Sequence, residues 1–361
     1  MRLSDRYIFG ELLLPFLIGT LAVLMMLVGN TLFGLLEPML REKWPVAAVL
    51  RVLVLNVPTV LVLTLPVATA LAASLATNRM ARDGEITVLR GGGAPLLRTF
   101  APILLFGLLV SAANLYIADR VVPWAWKEQE DTKALLYSLP KDPVQTRVGF
   151  RVENYLFAIG SAQKVGSDRL RLTDIVVYQY PDLPGTYGEV FTARTGSYRA
   201  NVWTLENARL HRYRADGTTA FDAKVETVTI PLRVNFSQVF SLPLREDQLA
   251  FAELTQRAEG ARRLGQLQDA RKYEVERWFK LSLPAMCLVF ALCAPPLSLR
   301  FARTGAFTGV LLSIIVVFVA WNTLLLMKYV GLGGYLPPAV AAWSTNALFT
   351  IVGAVLLRTQ E

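Results

Sequence analysis

Few residues in this chain are of types that do covalent chemistry, and their spacing gives them little to do. His211 is the only histidine. No carboxylate and nucleophile are spaced around it, so it reads as a surface or hydrogen-bonded side chain, not a general base. Cys287 and Cys293 are the two cysteines, six apart in one apolar stretch and on different helix faces. They read as reduced core residues with no disulfide or metal framework. Asp119, Glu128, Glu130 and Asp131 cluster, but as a charged linker after an apolar stretch. Gly91-Gly92-Gly93 is not a phosphate loop, because the G-x-x-x-x-G-K-[ST] pattern occurs nowhere in the chain.

What remains is the chemistry of contact. In the loop that opens at Asn78, Asp83 is a candidate N-cap and Gly91 a candidate stop. They predict a helix of about two turns across Gly84–Arg90. Ile86 and Leu89 then share a face flanked by Glu85 and Arg90. A helix so short is not stable alone in water. It must lie against the protein's own membrane surface or against a cytoplasmic partner. Arg41 and Lys43 stand just beyond the first apolar stretch, beside Trp44. Cations there could pair with lipid phosphates or simply anchor the helix end.

The elements that position these residues are six charge-free apolar stretches: Leu12–Leu36, Val52–Asn78, Thr99–Ala118, Leu281–Leu299, Thr304–Met327 and Tyr329–Leu357. A run of roughly 18 such residues is long enough to cross the hydrocarbon core as a helix. Leu12–Leu36 is too long for a signal-peptide core and lacks a small-residue cleavage site, so it reads as a span. The chain is 53% hydrophobic and 18% charged. Pro58, Pro66, Pro284, Pro295 and Pro296 imply kinked spans, not broken ones. Glu11, Arg51 and Lys280 lie near the ends of their spans, where their charged heads can reach water or headgroups.

Between the third and fourth spans lies a water-soluble insert, residues 119–277. It holds 23 Lys and Arg against 21 Asp and Glu, so most of the net charge of +9 lies in and beside the membrane segments. That argues against nucleic-acid binding. Arg2, Arg6, Arg79, Arg82, Arg90, Arg98, Arg300, Arg303 and Arg358 fall on one side if six helices alternate. By the positive-inside rule both termini are cytoplasmic and the insert extracytoplasmic. The expected domains are therefore 1–118 with a cytoplasmic loop at 78–98, the insert, and 278–361.

Within the insert, Val228, Ile230, Leu232 and Val234 alternate with polar residues and Pro231, as Leu170 and Leu172 do with arginines. Asp216-Gly217 fits a hairpin between Arg209–Arg214 and Thr219–Glu226. Many short strands at this spacing predict an antiparallel β-sandwich or jelly roll. From Glu246 to Arg277 the period turns helical through Phe251, Leu254, Ala258, Ala261 and Leu264.

No span carries an ionisable residue at its centre, where ion-coupled carriers handle their coupling charge. The chain reads as a passive half of something powered elsewhere. An intramembrane enzyme would need clustered acids or histidine at the lipid interface. A scaffold with an extracytoplasmic binding domain remains the other reading, and the 78–93 loop discriminates: an ATPase-docking helix argues for transport.

The sequence resembles the lipopolysaccharide-export permease family, the LptF/LptG-type (YjgP/YjgQ) subunits. The resemblance rests on Asp-Arg-Tyr-Ile at 5–8, Glu-Ile-Thr-Val-Leu-Arg-Gly-Gly-Gly at 85–93, Pro102, Gly334-Tyr-Leu-Pro-Pro, and Ala342-Trp343. The order of these motifs and the three-plus-three layout around a β domain carry it. The resemblance implies a non-catalytic permease subunit of an ABC transporter. A cytoplasmic ATPase dimer would bind ATP and Mg, leaving no cofactor in this chain, and a second homologous six-span permease would complete the pair. Glu85, Ile86, Leu89 and Arg90 would form the coupling helix, with Glu85 facing the ATPase. Lipopolysaccharide, or a related glycolipid, would enter beside the first and fifth spans, and Arg41 and Lys43 stand where its phosphates would need cations. A periplasmic bridge protein of similar β fold would receive it. Gly91-Gly92 departs from the family, where Ala or Ser is commoner, and loosens the helix end.

Overall fold

The computed structural model describes residues 3–41, 44–138, 145–152, 155–164, 169–180, 188–199, 202–213, 218–231, 246–263, 265–302 and 306–360. The chain divides into two compact units, Met1–Gln129 with Leu244–Glu361, and Glu130–Pro243.

The first unit is helical. Its elements are α1 (Leu3–Arg41), α2 (Val46–Arg82), α3 (Glu85–Gly91) and α4 (Leu96–Tyr116). A π-helical turn (Ile117–Val121) then leads into α5 (Val122–Ser138), whose later residues pass into the second unit. After a 3₁₀ turn (Glu246–Gln248) come α6 (Phe251–Arg263), α7 (Leu267–Phe301), α8 (Ala306–Leu332) and α9 (Pro338–Arg358). Six of these segments are long and apolar enough to cross a membrane. The prolines do not break them: α2 runs through Pro58 and Pro66, and α7 through Pro284, Pro295 and Pro296.

α7 is the hub. In its most apolar window 67% of residues are buried, against 6% for α1. It packs on α2, α4, α6, α8 and α9. Small residues allow that, because between helices in lipid it is close backbone approach that gains dispersion. A Cβ on Gly107 of α4 would stand 2.4 Å from Ala291 Cβ, and one on Gly353 of α9 3.0 Å from the Cys293 backbone. Cys287 and Cys293 are buried, unpaired residues of this packing.

Three boundaries differ from the sequence reading. The acidic stretch after the third span is helical, because the third helix continues through the π turn into α5. The helix returning from the insert and the fourth span are one element, α7. The stretch Tyr329–Leu357 is divided, its first residues finishing α8. The break falls where Gly334 takes φ +90° and Pro338 occupies the first turn of α9, both poor continuations of a helix.

The second unit is an antiparallel β domain inserted between the third and fourth membrane helices. β1 (Gln145–Val152), β2 (Tyr155–Lys164), β3 (Arg169–Gln179), β4 (Glu189–Arg199), β5 (Val202–Tyr213) and β6 (Thr219–Pro231) form one sheet. The predicted hairpin is there, β5 turning into β6 with Tyr213 opposite Thr219. Among the described strands, every neighbour in the sheet is a neighbour in sequence. That is an up-and-down order of the described strands; Leu232 and Val234 lie outside the described residues.

One face of the sheet buries Phe157, Ile159, Leu172, Ile175, Trp203 and Leu205. Leu172 and Ile175 are three apart, yet both are buried. Asp174 between them sits at φ +51°, which resets the alternation. Gly160 lies opposite: a Cβ there would come within 2.7 Å of Asp174 Cβ.

Candidate coupling site

α3 is placed by its two glycine ends. Asp83 does not cap α3. Its backbone N–H closes α2 by donating to Arg79 O, and its carboxylate lies 3.6 Å from the Arg79 guanidinium. Gly84 precedes α3 at φ +77°, a conformation in which a Cβ is strained, and no side chain caps the helix start. At the far end Gly91 is still helical. The left-handed residue is Gly93 at φ +80°, and Ala94 N–H donates to Leu89 O at 3.1 Å. The stop is therefore later than Gly91 because the chain reverses at Gly93.

The four residues singled out on α3 separate into two groups. Ile86 is 2% exposed and belongs to the same core as Leu12, Met80, Leu96 and Phe100. It packs on the protein's own helices and is not offered to a partner. Leu89 is half-buried, while Arg90 is exposed. Val88, which the Ile86–Leu89 spacing passed over, is 75% exposed and is the apolar residue α3 shows to solvent.

Polar contacts link α3 and its surroundings to four other helices. The Tyr7 hydroxyl donates to Glu85 Oε1 at 2.9 Å. Glu11, one turn further along α1, forms an ion pair with Arg79 at the end of α2, so its carboxylate is not simply solvated. Arg90 Nη2 donates to the Gln360 carbonyl at 2.8 Å, and Gln360 Nε2 donates to the Pro296 carbonyl of α7 at 2.8 Å. Arg82, Arg98, Arg300 and Arg358 are exposed at these same helix ends. α3 thus lies on a cationic end face. An acidic or polar protein surface could dock there, with Val88 as an apolar contact.

The other end of the unit carries the lipid-side candidates. Arg41 is the last residue of α1; its side chain, and all of Lys43, lie outside the described residues. Two other cations there have partners within the chain. Arg51 pairs with Glu128 at 3.1 Å. Lys280 is only 9% exposed and donates to the Leu249 carbonyl at 2.6 Å. Nearby, Lys328 pairs with Glu276 at 2.6 Å, and Arg271 donates to the carbonyls of Gly331 and Leu336. A cavity of about 640 Å³ opens there, lined among others by Glu246, Leu267, Arg271, Lys272 and Glu276.

Nothing described looks like a reaction centre. His211 on β5 lies 3.6 Å from Asp222 and 3.4 Å from Thr192, a cross-strand arrangement. Among the described residues no group of His, Cys, Asp and Glu side chains gathers as metal ligands would.

Over residues 6–359 the chain matches the family described as lipopolysaccharide export system permease LptF/LptG. No individual curated protein matches it.

Proposed function

The chain belongs to the LptF/LptG family of lipopolysaccharide export permeases, and on that premise we propose that it is one permease half of an ATP-driven lipid extractor in the inner membrane. As a family member it is a transporter component with six membrane-crossing helices and an inserted β domain. In the proposal, both termini and α3 face the cytoplasm and residues 119–277 face the periplasm. A separate ATPase dimer docks under α3, and ATP and Mg bind to that partner. A second homologous permease covers the open side of the bundle. Lipopolysaccharide, or another anionic glycolipid, leaves the outer leaflet between the two and passes through the β domain to a periplasmic bridge of similar fold.

The observation that carries this reading is α3. It is a seven-residue helix with one side buried in the bundle by Ile86. Its ends are tied to α1 and to the chain end beyond α9, and Val88 and Arg90 are presented outward. A helix that short is ordered by what it touches, so its position follows the helices it is tied to. A partner pushing on it would move them. The thin burial of α1 and α8, at 6% and 17% of their apolar windows, supports a second membrane partner. Arg41 and Lys43 keep their proposed place beside the lipid phosphates.

The test is purification of the tagged chain from native membranes in mild detergent. Recovery of a P-loop ATPase and a second six-span homologue is the expected result. Recovery of the chain alone would favour a membrane-anchored scaffold with no transport role. Charge reversal at Arg41 and Lys43 together is expected to weaken capture of anionic lipid; unchanged capture would return them to anchoring the helix end.

A further inference from the structure

Tyr7 and Glu11 are four apart on α1 and so lie on one helix face, a turn apart. Tyr7 reaches Glu85 at the start of α3, and Glu11 reaches Arg79 at the end of α2, with Asp83 3.6 Å from the same guanidinium. The α2–α3 junction is therefore held against α1 by two polar rungs. Ile8 and Leu12, the apolar residues beside them, are buried in the core that also takes Ile86.

The junction needs such ties. Gly84 joins α2 to α3 in a left-handed conformation, no side chain caps α3, and three glycines follow Arg90. Glycines leave the backbone many alternatives, and one buried side chain, Ile86, does not by itself fix the orientation of a two-turn helix. α1 is also the least buried of the membrane helices, so a contact at its end weighs heavily in how it is held.

We propose that Tyr7 is a positioning residue for α3, its hydroxyl holding Glu85 so that the coupling helix and the first membrane helix shift together. The inference rests on the reading of α3 as the ATPase-facing segment, and it adds a residue of α1 to that reading. Tyr7 ties one oxygen of Glu85 to α1, and the carboxylate keeps further acceptor sites for a partner beside Val88. A push on α3 then reaches α1, the membrane helix with the smallest buried share of its apolar window.

Two variants test the tie. Tyr7→Phe removes only the hydroxyl. Glu85→Gln removes the charge but keeps an amide oxygen that accepts the same hydrogen bond. In the full chain, with a nitroxide on Val88→Cys (Cys287 and Cys293 are buried), Tyr7→Phe is expected to increase the mobile component of the label spectrum. Loss of one solvent-exposed hydrogen bond corresponds to a roughly five- to tenfold fall in the ratio of latched to unlatched α3. In the complex reconstituted without the label, Tyr7→Phe is expected to retain the ATPase yet move less lipid per ATP hydrolysed. Glu85→Gln, whose neutral amide oxygen accepts a weaker hydrogen bond, should shift the label spectrum in the same direction by less.

An unchanged label spectrum and unchanged lipid-to-ATP ratio in Tyr7→Phe would overturn the proposal. So would loss of ATPase association in Tyr7→Phe, which would make Tyr7, 44% exposed, a docking residue. If the wild-type chain recruits no ATPase, the coupling reading fails, and the spectrum of the isolated chain still decides whether Tyr7 positions α3.

Discussion

Asn114 Nδ2 donates to the Val62 carbonyl at 3.1 Å. Val62 is four residues before Pro66, and its carbonyl is the one that a proline at 66 leaves without a helical donor. Asn114 belongs to α4, is fully buried, and lies 3.7 Å from Cys287 Sγ of α7. A polar side chain from one membrane helix thus completes the backbone of another where no water can.

Asn114→Leu should leave the Val62 carbonyl unpaired and destabilise the helical unit by about 1–3 kcal/mol. Pro66→Ala restores the missing donor, so the double variant Pro66→Ala/Asn114→Leu should recover most of that loss. Thermal unfolding in detergent of the four proteins of this cycle measures the coupling. A purely additive cycle would show that Asn114 serves some other partner.

Glycines separate the packed side of the bundle from its open side. A Cβ on Gly107 would approach Ala291 Cβ at 2.4 Å and the Cys287 carbonyl oxygen at 3.1 Å, so the backbones themselves must part. Gly107→Ala should cost about 1–3 kcal/mol, and Ala291→Gly should relieve part of it. Gly10 in α1 has nothing within 4 Å of an added Cβ. Gly10→Ala should leave thermal stability unchanged or raise it slightly, since alanine favours helix by about 1 kcal/mol.

The membrane segments were legible because charge-free length has one physical meaning, and α3 because glycines and a two-turn period bound it. What touches α3 was not legible. Tyr7 and Glu85 are 78 residues apart, and nothing local in Asp-Arg-Tyr-Ile says that the hydroxyl finds a carboxylate. Asp83 looked like an N-cap by type, but the left-handed conformation at Gly84 assigned it to the preceding helix. Lys280 and Arg51 looked ready to reach headgroups, as any cation near a span end does; the Leu249 carbonyl before α6 that Lys280 meets, and the Glu128 carboxylate of α5 that Arg51 meets, are far away in sequence. The β domain's alternation was readable, but Asp174 and Asn207 at positive φ shift it in ways that no periodicity predicts.

The π turn has a use that its position suggests. Asp119 lies inside it and accepts from the Phe251 N–H at 2.8 Å, satisfying a free donor at the start of α6. Asp119→Ala should loosen that helix start by about 1 kcal/mol. The measurement is amide exchange over residues 250–254, expected to accelerate. Asp119→Asn keeps an acceptor oxygen and should exchange nearly as slowly as wild type.

The Lys328–Glu276 pair ties α8 to α7 where both side chains are largely out of water, at 28% and 13% exposure. Lys328 Nζ also lies 5.9 Å from the centre of the Phe279 ring. Removing one charge from such a pair strands the other, whereas replacing both with apolar groups removes the desolvation penalty along with the attraction. Lys328→Met alone should therefore destabilise the helical unit by about 2 kcal/mol, less than a fully buried pair would lose because both groups keep some water. Lys328→Met/Glu276→Leu should regain most of it. Thermal unfolding of the two variants in the same detergent decides the point: if the double variant were no more stable than Lys328→Met, the pair's value would lie in the Phe279 contact and not in charge.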